Sequence, residues 1–317
     1  MAAPVPNPAH PTPTSPFRLG SRGSPLALAQ ADMTAAALMA AHGWPRAAIR
    51  IVTVTTSGDR IQDRALAEIG GKALWTKELD RALLDGEIDC AVHSMKDVET
   101  IRPDAIRIAA MLPRAAVEDR LIGAASIDAL REGAIIGTSS PRRAAQLKAL
   151  RPDLHTTLLR GNVATRIARV EAGEIDATLL AAAGLNRLGQ SETGVTIPVE
   201  TMLPAVSQGA VGIECRADDT RAQALLAAID DAATTRCVRA ERALLLALGG
   251  TCHSPIAALA HETEGGLHLR AQILSEDGSE QVNDEALLPA DDPDAAQALG
   301  RRLLDRASPA LRALFQA

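Results

Sequence analysis

The sequence predicts an α/β fold that gives way to a smaller α+β region near its end, and three observations predict it. Apolar, β-branched runs alternate with helix-period stretches through the first two thirds of the 317 residues. That is the pattern of strands layered with helices in largely parallel sheets. Two short strings recur: GEID at 86–89 and 173–176, and a Ser-Pro helix start at Ser24–Pro25 and Ser140–Pro141. The texture then changes near Asp230, where a long helical stretch is followed by short strand-like runs and a last helix. The recurrence fits two similar α/β units, or chance in a chain rich in Ala and Gly, and short matches alone do not choose.

Taken in order, a strand over 18–21 leads to Ser24, a good N-cap. Pro25 follows at the first helical position, where a missing N–H costs nothing, so a helix is predicted over 25–42. Strands are predicted over 49–56 and 89–93 with a helix over 76–84 between them, then a strand over 107–111. A strand over 135–138 runs into the second Ser-Pro start and a helix over 141–150. The strand over 156–159 ends at Arg160; Gly161 permits a tight turn, and Asn162 can cap a helix over 163–172. Strands over 177–180 and 211–214 close the α/β part. Beyond it come a helix over 235–248 ending at Gly249–Gly250, strands over 256–261 and 267–274, and a helix over 294–315.

Composition removes several function classes. Apolar residues make up 47% of the chain but aromatics only 1%, with two Trp, two Phe and no Tyr. The core is therefore aliphatic, and nucleic-acid binding by base stacking lacks its platforms. A net charge of -6 argues against a chain drawn as a whole to polyanions. No run approaches the roughly 18 apolar residues of a membrane span. The first sixteen residues hold six prolines and no Lys or Arg. They lack the marks of a secretory or mitochondrial leader, so they read as a disordered tail on a cytoplasmic protein. Four widely spaced cysteines without a CxxC fit reduced thiols. P-loop, GxSxG and HExxH signatures are missing, and no Cys/His set has metal-ligand spacing, so no metal is expected.

The residues that carry chemistry cluster at predicted strand ends. In TSSPRRAAQLKAL, Arg142 and Arg143 fall in the first turn after Ser140 and Pro141. The helix dipole disfavours cations there, so the pair beside free N–H groups points to a carboxylate or phosphate, against the bland reading of a capped helix with solvated arginines. SRGSPLALAQ repeats the device with Arg22 and Ser24. In LLRGNVATRIARV, Arg160, Asn162 and Arg166 flank a loop at a strand end, where open α/β sheets bind ligands. The run DCAVHSMKDVET places His93, Lys96 and Asp97 beyond a strand, where Asp97 can serve as general acid/base or charge stabiliser, or merely as a surface charge. Cys252 sits in GGTCHSPIA, where small neighbours allow close approach of a ligand. It reads as a reactive loop thiol or a small core residue.

Together SRGSPLALAQ, GGKALWTKEL, AVHSMKDV, GTSSPRR, LRGNVATR, LAAAGLNRLG, PAVSQGAVGIE and GGTCHSPI resemble the porphobilinogen deaminase family along nearly the whole chain after about Phe17. The resemblance implies three domains: two periplasmic-binding-protein-like α/β domains around a cleft, and a small α+β C-terminal domain carrying the cofactor. It places the first at 17–112 and 208–229, the second at 113–207 and the third at 230–317, after a tail at 1–16. It implies a transferase, a hydroxymethylbilane synthase of heme and tetrapyrrole biosynthesis, that is a cytoplasmic monomer.

By the same resemblance, Cys252 holds a dipyrromethane cofactor through a thioether. Porphobilinogen loses ammonia to leave an azafulvene, and the free α-carbon of the terminal pyrrole attacks it. Four rounds and a hydrolysis give hydroxymethylbilane. Asp97 matches the family's catalytic aspartate. Arg22, Arg142, Arg143, Arg160, Arg166 and Arg187 match its carboxylate binders, with Lys96, Ser24, Ser139, Ser140 and Asn162 as further donors. Each pyrrole brings an acetate and a propionate, which suits planar arginine forks. Glu99 stands where proline is common, Trp75 where phenylalanine is frequent, and Glu68 where some members have lysine; the loop reads GGTC where some have GGC. The competing class is a non-catalytic two-lobed module holding a small acid, which an export signal would have favoured. A metal-dependent hydrolase lacks its ligand set.

Overall fold

The computed structural model describes residues 11–12, 14–56, 76–251 and 254–315. Most of the expected tail, together with Glu68, Trp75 and Cys252, therefore lies outside the described residues. In chain order the elements are β1 (Phe17–Ser21), α1 (Pro25–His42), β2 (Ile49–Thr53), α2 (Lys77–Leu84), β3 (Cys90–Ser94), β4 (Ile106–Met111) and β5 (Asp119–Ile122). Then come β6 (Ile135–Gly137), α3 (Pro141–Leu150), β7 (His155–Thr157), α4 (Val163–Glu171), β8 (Ala177–Ala181), α5 (Ala182–Arg187), β9 (Val195–Ile197), β10 (Val211–Arg216) and α6 (Thr220–Ala227). The last are α7 (Ala232–Ala247), β11 (Ile256–Thr263), β12 (Gly266–Leu274), β13 (Gln281–Leu288), α8 (Pro293–Arg306) and α9 (Pro309–Ala313).

Two five-stranded sheets carry the α/β part, ordered β2-β1-β3-β10-β4 and β7-β6-β8-β5-β9. In each, the first three strands in that order pair in parallel. The fourth position is an antiparallel strand, β10 or β5, the first the chain forms on crossing over from the other lobe. The sheets are thus mixed rather than largely parallel. A strand entering from the opposite lobe needs no helical crossover within its own sheet and is free to run the other way.

The recurring strings acquire a physical reason in this arrangement. Asp89 and Asp176 end the two GEID copies and lead into β3 and β8, the equivalent third strands. Asp89 accepts the backbone N–H of Arg18 at 2.7 Å, and Asp176 accepts that of Ile135 at 2.7 Å. Each carboxylate thereby pins the start of the parallel strand beside its own, β1 or β6. The glycines that open the copies, Gly86 and Gly173, adopt φ of +71° and +70°, which ends α2 and α4 in the left-handed conformation only glycine holds without cost. The two α/β units are therefore similar in structure, not by chance of composition.

The cores are aliphatic, as the composition requires. Phe17, Leu19, Leu38 and Ile213 fill the first lobe, and Leu121, Ile136, Leu147 and Leu179 the second. The third region packs α7 and α8 on the antiparallel sheet β11-β12-β13 through Leu244, Leu269, Ile273 and Leu299. Burying each such side chain contributes about 1.5–3 kcal/mol.

Several expectations need correction. The last helix is two, α8 and α9. Ala307 is extended, Ser308 precedes Pro309 and so is kept out of helical backbone, and Glu280 accepts both the N–H and the hydroxyl of Ser308. Strands β5, β9 and β13 and helices α5 and α6 were not expected. β5 and β13 carry Asp119, Arg120, Asn283, Asp284 and Glu285, which break any apolar run.

Candidate active site

The first wall of the site is built at the carboxyl ends of β1 and β3. Ser24 caps α1 by accepting Ala27 N–H at 3.3 Å, and Gln30 on that helix donates to Ser94 Oγ at 2.7 Å, tying α1 to the end of β3. A single 3₁₀ turn, Met95–Asp97, follows with Met95 buried. Arg22, Ser24, Gln30, His93, Ser94 and Asp97 line one recess, so the two strand ends do converge.

The second wall comes from the other lobe. Ser140 caps α3, accepting Arg143 N–H at 3.4 Å, and Ser139 lies half-buried just before it. Asn162 caps α4 by accepting the Thr165 N–H at 2.9 Å. Gly161 takes φ +106°, and Arg166 Nε donates to its carbonyl at 3.0 Å.

Charges from both walls act on one another. Burial pushes the Lys96 ammonium below the usual lysine range; Asp97 and Asp119 oppose this, and Arg143 and Arg166 add to it. Arg166 is pushed down to about 10 by burial and by Arg143 and Arg160, against the pull of Asp97. Lys96, Asp97, Arg143, Arg160 and Arg166 thus form one field across the cleft, with cations in excess. Such a field attracts a polyanionic ligand. Asp97, on the recess, can accept an N–H or stabilise a developing positive charge.

Other expected binders sit differently. Arg142 is 3% exposed, and its guanidinium donates to Asp119 at 2.7 Å, Leu203 O at 2.8 Å and Gln146 Oε1 at 2.8 Å. Arg143 gives Asp119 two bonds, at 2.7 and 3.2 Å, and Leu179 O one at 2.8 Å. Their terminal donors are engaged inside the lobe. Arg187 is half-buried and donates to Gly209 O at 2.7 Å on the returning segment, which places it beside the second crossover. Cys252 lies outside the described residues.

Sequence reasoning missed Asp119 and Gln208. Asp119 is 1% exposed and accepts a further bond from Gln208 at 2.8 Å. Burial works against its ionisation, but Arg142 and Arg143 outweigh burial and hold it far below the usual carboxylate range. Only the fold brings these partners to it, so no local signal marked it.

The porphobilinogen deaminase dipyromethane cofactor binding domain profile matches residues 17–224, and that family's C-terminal domain profile matches residues 235–308. The porphobilinogen deaminase of Sphingopyxis alaskensis is 59% identical over 96% of this chain and 98% of its own length. Those of Paracoccus denitrificans, at 52% over 89% and 91%, and Stenotrophomonas maltophilia, at 47% over 91% and 96%, are similar along nearly their whole length. Among solved structures, a periplasmic substrate-binding protein of an ABC transporter from Coxiella burnetii aligns with a TM-score of 0.42 at 16% identity, over 67% of this chain and 91% of its own.

Proposed function

The chain belongs to the porphobilinogen deaminase family, and from that premise we propose that its cleft joins four porphobilinogen units head to tail with loss of ammonia and releases hydroxymethylbilane with water. The chain is then a transferase. The observation that carries the reading is the placing of one recess-lining carboxylate, Asp97, in a field of cations drawn from both lobes.

The donor set fits the cofactor this family's domain binds. A dipyrromethane carries several carboxylates and N–H groups, and the cleft offers cations for the first and an acceptor for the second. When bound, it supplies the free pyrrole α-carbon on which new units are joined. Lys96, Arg166, Arg160 and Arg22 hold carboxylates, and Arg143 adds charge from behind while its donors stay on Asp119 and Leu179 O. Ser24, Ser139, Ser140 and Asn162 mark where backbone N–H groups at helix starts face anions. Asp97 orients pyrrole N–H groups, stabilises positive charge on the ring and moves the protons of deamination and deprotonation. Arg142 and Arg187 belong to the set as supports of α3 and of the crossover.

Cys252 is the attachment point on this reading. Burial raises the thiols of the other three cysteines, Cys215 and Cys237 to about 11 and Cys90 well above the usual value, so none is suited to forming a thioether. The domains divide at 17–112 with 208–229, 113–207 and 230–317. Among the described residues no helix is long and apolar enough to cross a membrane. We read the protein as a cytoplasmic monomer, which sedimentation of the purified chain would check.

Intact mass of the wild-type chain beside Cys252→Ser tests the reading. The expected result is an excess of two linked pyrrole units in wild type alone, and an Asp97→Asn chain that folds but barely consumes porphobilinogen. Plain sequence masses that persist after porphobilinogen is added would overturn it.

A further inference from the structure

Asp97 sits on one short turn, so its position depends on what holds the chain immediately after it. That stretch, residues 98–100, is gripped from the third domain. Arg242, on α7 and 9% exposed, donates through Nη1 to Val98 O at 3.2 Å, and through Nη2 to Glu99 O and to Thr100 O at 3.2 Å. Three successive carbonyls are therefore held by one guanidinium. Thr100 Oγ1 adds a bond to Gly250 O at 3.3 Å, just past the end of α7 and two residues before Cys252. On its other side the stretch is tied to the first lobe, where Arg102 Nη1 donates to Glu99 Oε2 at 2.7 Å.

The choice of donor is informative. Among the described residues Arg242 makes no ion pair; its hydrogen bonds all go to neutral carbonyls of one three-residue stretch. Glu214 and Glu99 favour its charge only from beyond ion-pair distance, while burial and Arg102 oppose it, and a buried cation with no carboxylate in direct contact is an expensive way to gain stability. It is a good way to fix a backbone, because the planar fork presents several donors at set angles, where a lysine ammonium is a single point on a flexible stem.

Resting on the functional reading above, we propose that Arg242 is a positioning residue that locks the Asp97 turn to the third domain, so that Asp97 and the loop leading to Cys252 keep a fixed relation through the reaction. Helix α7 acts as the common ruler: its side carries the clamp and its end carries the loop. A misplacement of a reacting group by about 1 Å costs on the order of a hundredfold in rate, so loosening the clamp acts on turnover more than on substrate affinity.

The test compares Arg242→Lys, Arg242→Met and Thr100→Val with wild type, all as full-length chains loaded with primer. Intact mass, unfolding midpoint, kcat and KM for porphobilinogen are measured for each. The expected result is retained primer mass, a KM near that of wild type and a kcat lowered about tenfold or more in Arg242→Lys. Thr100→Val falls in the same direction by less, and Arg242→Met falls furthest. If the methionine chain does not fold, the lysine and Thr100 variants still decide. Unchanged kcat in both, a raised KM with kcat kept, or a loss of activity that only tracks the unfolded fraction overturns the positioning role. Wild-type chain that takes up no porphobilinogen overturns the functional reading itself, which separates the two failures.

Discussion

Asp97 and Asp119 are two carboxylates in opposite surroundings. Asp119 accepts from Arg142, Arg143 and Gln208 and is closed to solvent, so it has no capacity left for a substrate. Asp97 lines the open recess. Both arginines that the sequence marks as ligand binders, Arg142 and Arg143, turn their guanidinium donors inward to Asp119. Asp119→Asn leaves two buried guanidinium groups short of a partner and is expected to cost about 3–5 kcal/mol at pH 7. The pH dependence follows from the direction of its shift. Its folded-state pKa is depressed, so its contribution is complete above the ordinary value of 3.8 and is lost as pH falls below that. Urea unfolding at pH 7 and pH 3 should show the gap between wild type and variant narrowing at the lower pH; a gap that stays constant would remove Asp119 as its source.

At the scale of elements, the site is made from helix starts. Ser24, Ser140 and Asn162 each accept a backbone N–H three residues on, which sets where α1, α3 and α4 begin and where their N–H groups point. Gly161 aims the last of these. With φ at +106° and a built Cβ 2.8 Å from Thr165 Cγ2, the position admits glycine alone without strain. Gly161→Ala should destabilise by about 1–3 kcal/mol and, by shifting Arg160 and Arg166, raise KM for porphobilinogen. Denaturant midpoint and steady-state kinetics check this, and an unchanged KM would detach the loop from binding. The capped helices were legible because caps act within four residues. β5 was not, because DRLI reads as a charged turn until Asp119 meets its arginines from another helix.

Across the whole molecule, both crossover segments and the third domain meet on Glu241. Its Oε1 accepts Arg114 at 2.7 Å and Ala260 N–H at 2.8 Å, and its Oε2 accepts Arg114 at 3.1 Å and Ser207 N–H at 2.6 Å. Arg114 follows β4 on the outgoing crossover and Ser207 precedes β10 on the returning one. Ser207, with φ +64°, is the one non-glycine residue at positive φ among the described residues, a strain that a fixed N–H partner helps to hold. Glu241→Gln removes the countercharge of Arg114 and turns a donor toward N–H groups. It is expected to lower stability by about 3–5 kcal/mol, read as a drop in the urea midpoint. A loss under about 1 kcal/mol would show that the domains are held together elsewhere.

The sequence by itself determined the local and the periodic. The alternation of elements, the helix starts at Ser24, Ser140 and Asn162, the aliphatic core and the Lys-Asp pair after a strand all follow from interactions spanning a few residues. The strings that mark the family specified the chemistry to look for. Only the tertiary structure decided that the two GEID aspartates pin equivalent strands, that each sheet seats an antiparallel strand where the chain crosses between lobes, and that Arg142 and Arg143 turn inward to Asp119. It alone put Lys96 and Asp97 in the field of Arg166, and the Asp97 turn in the grip of Arg242. These are contacts between residues far apart in the chain, and a buried charge is tolerated only where the fold delivers its partners. No pattern along the sequence can announce a partner that arrives from another domain.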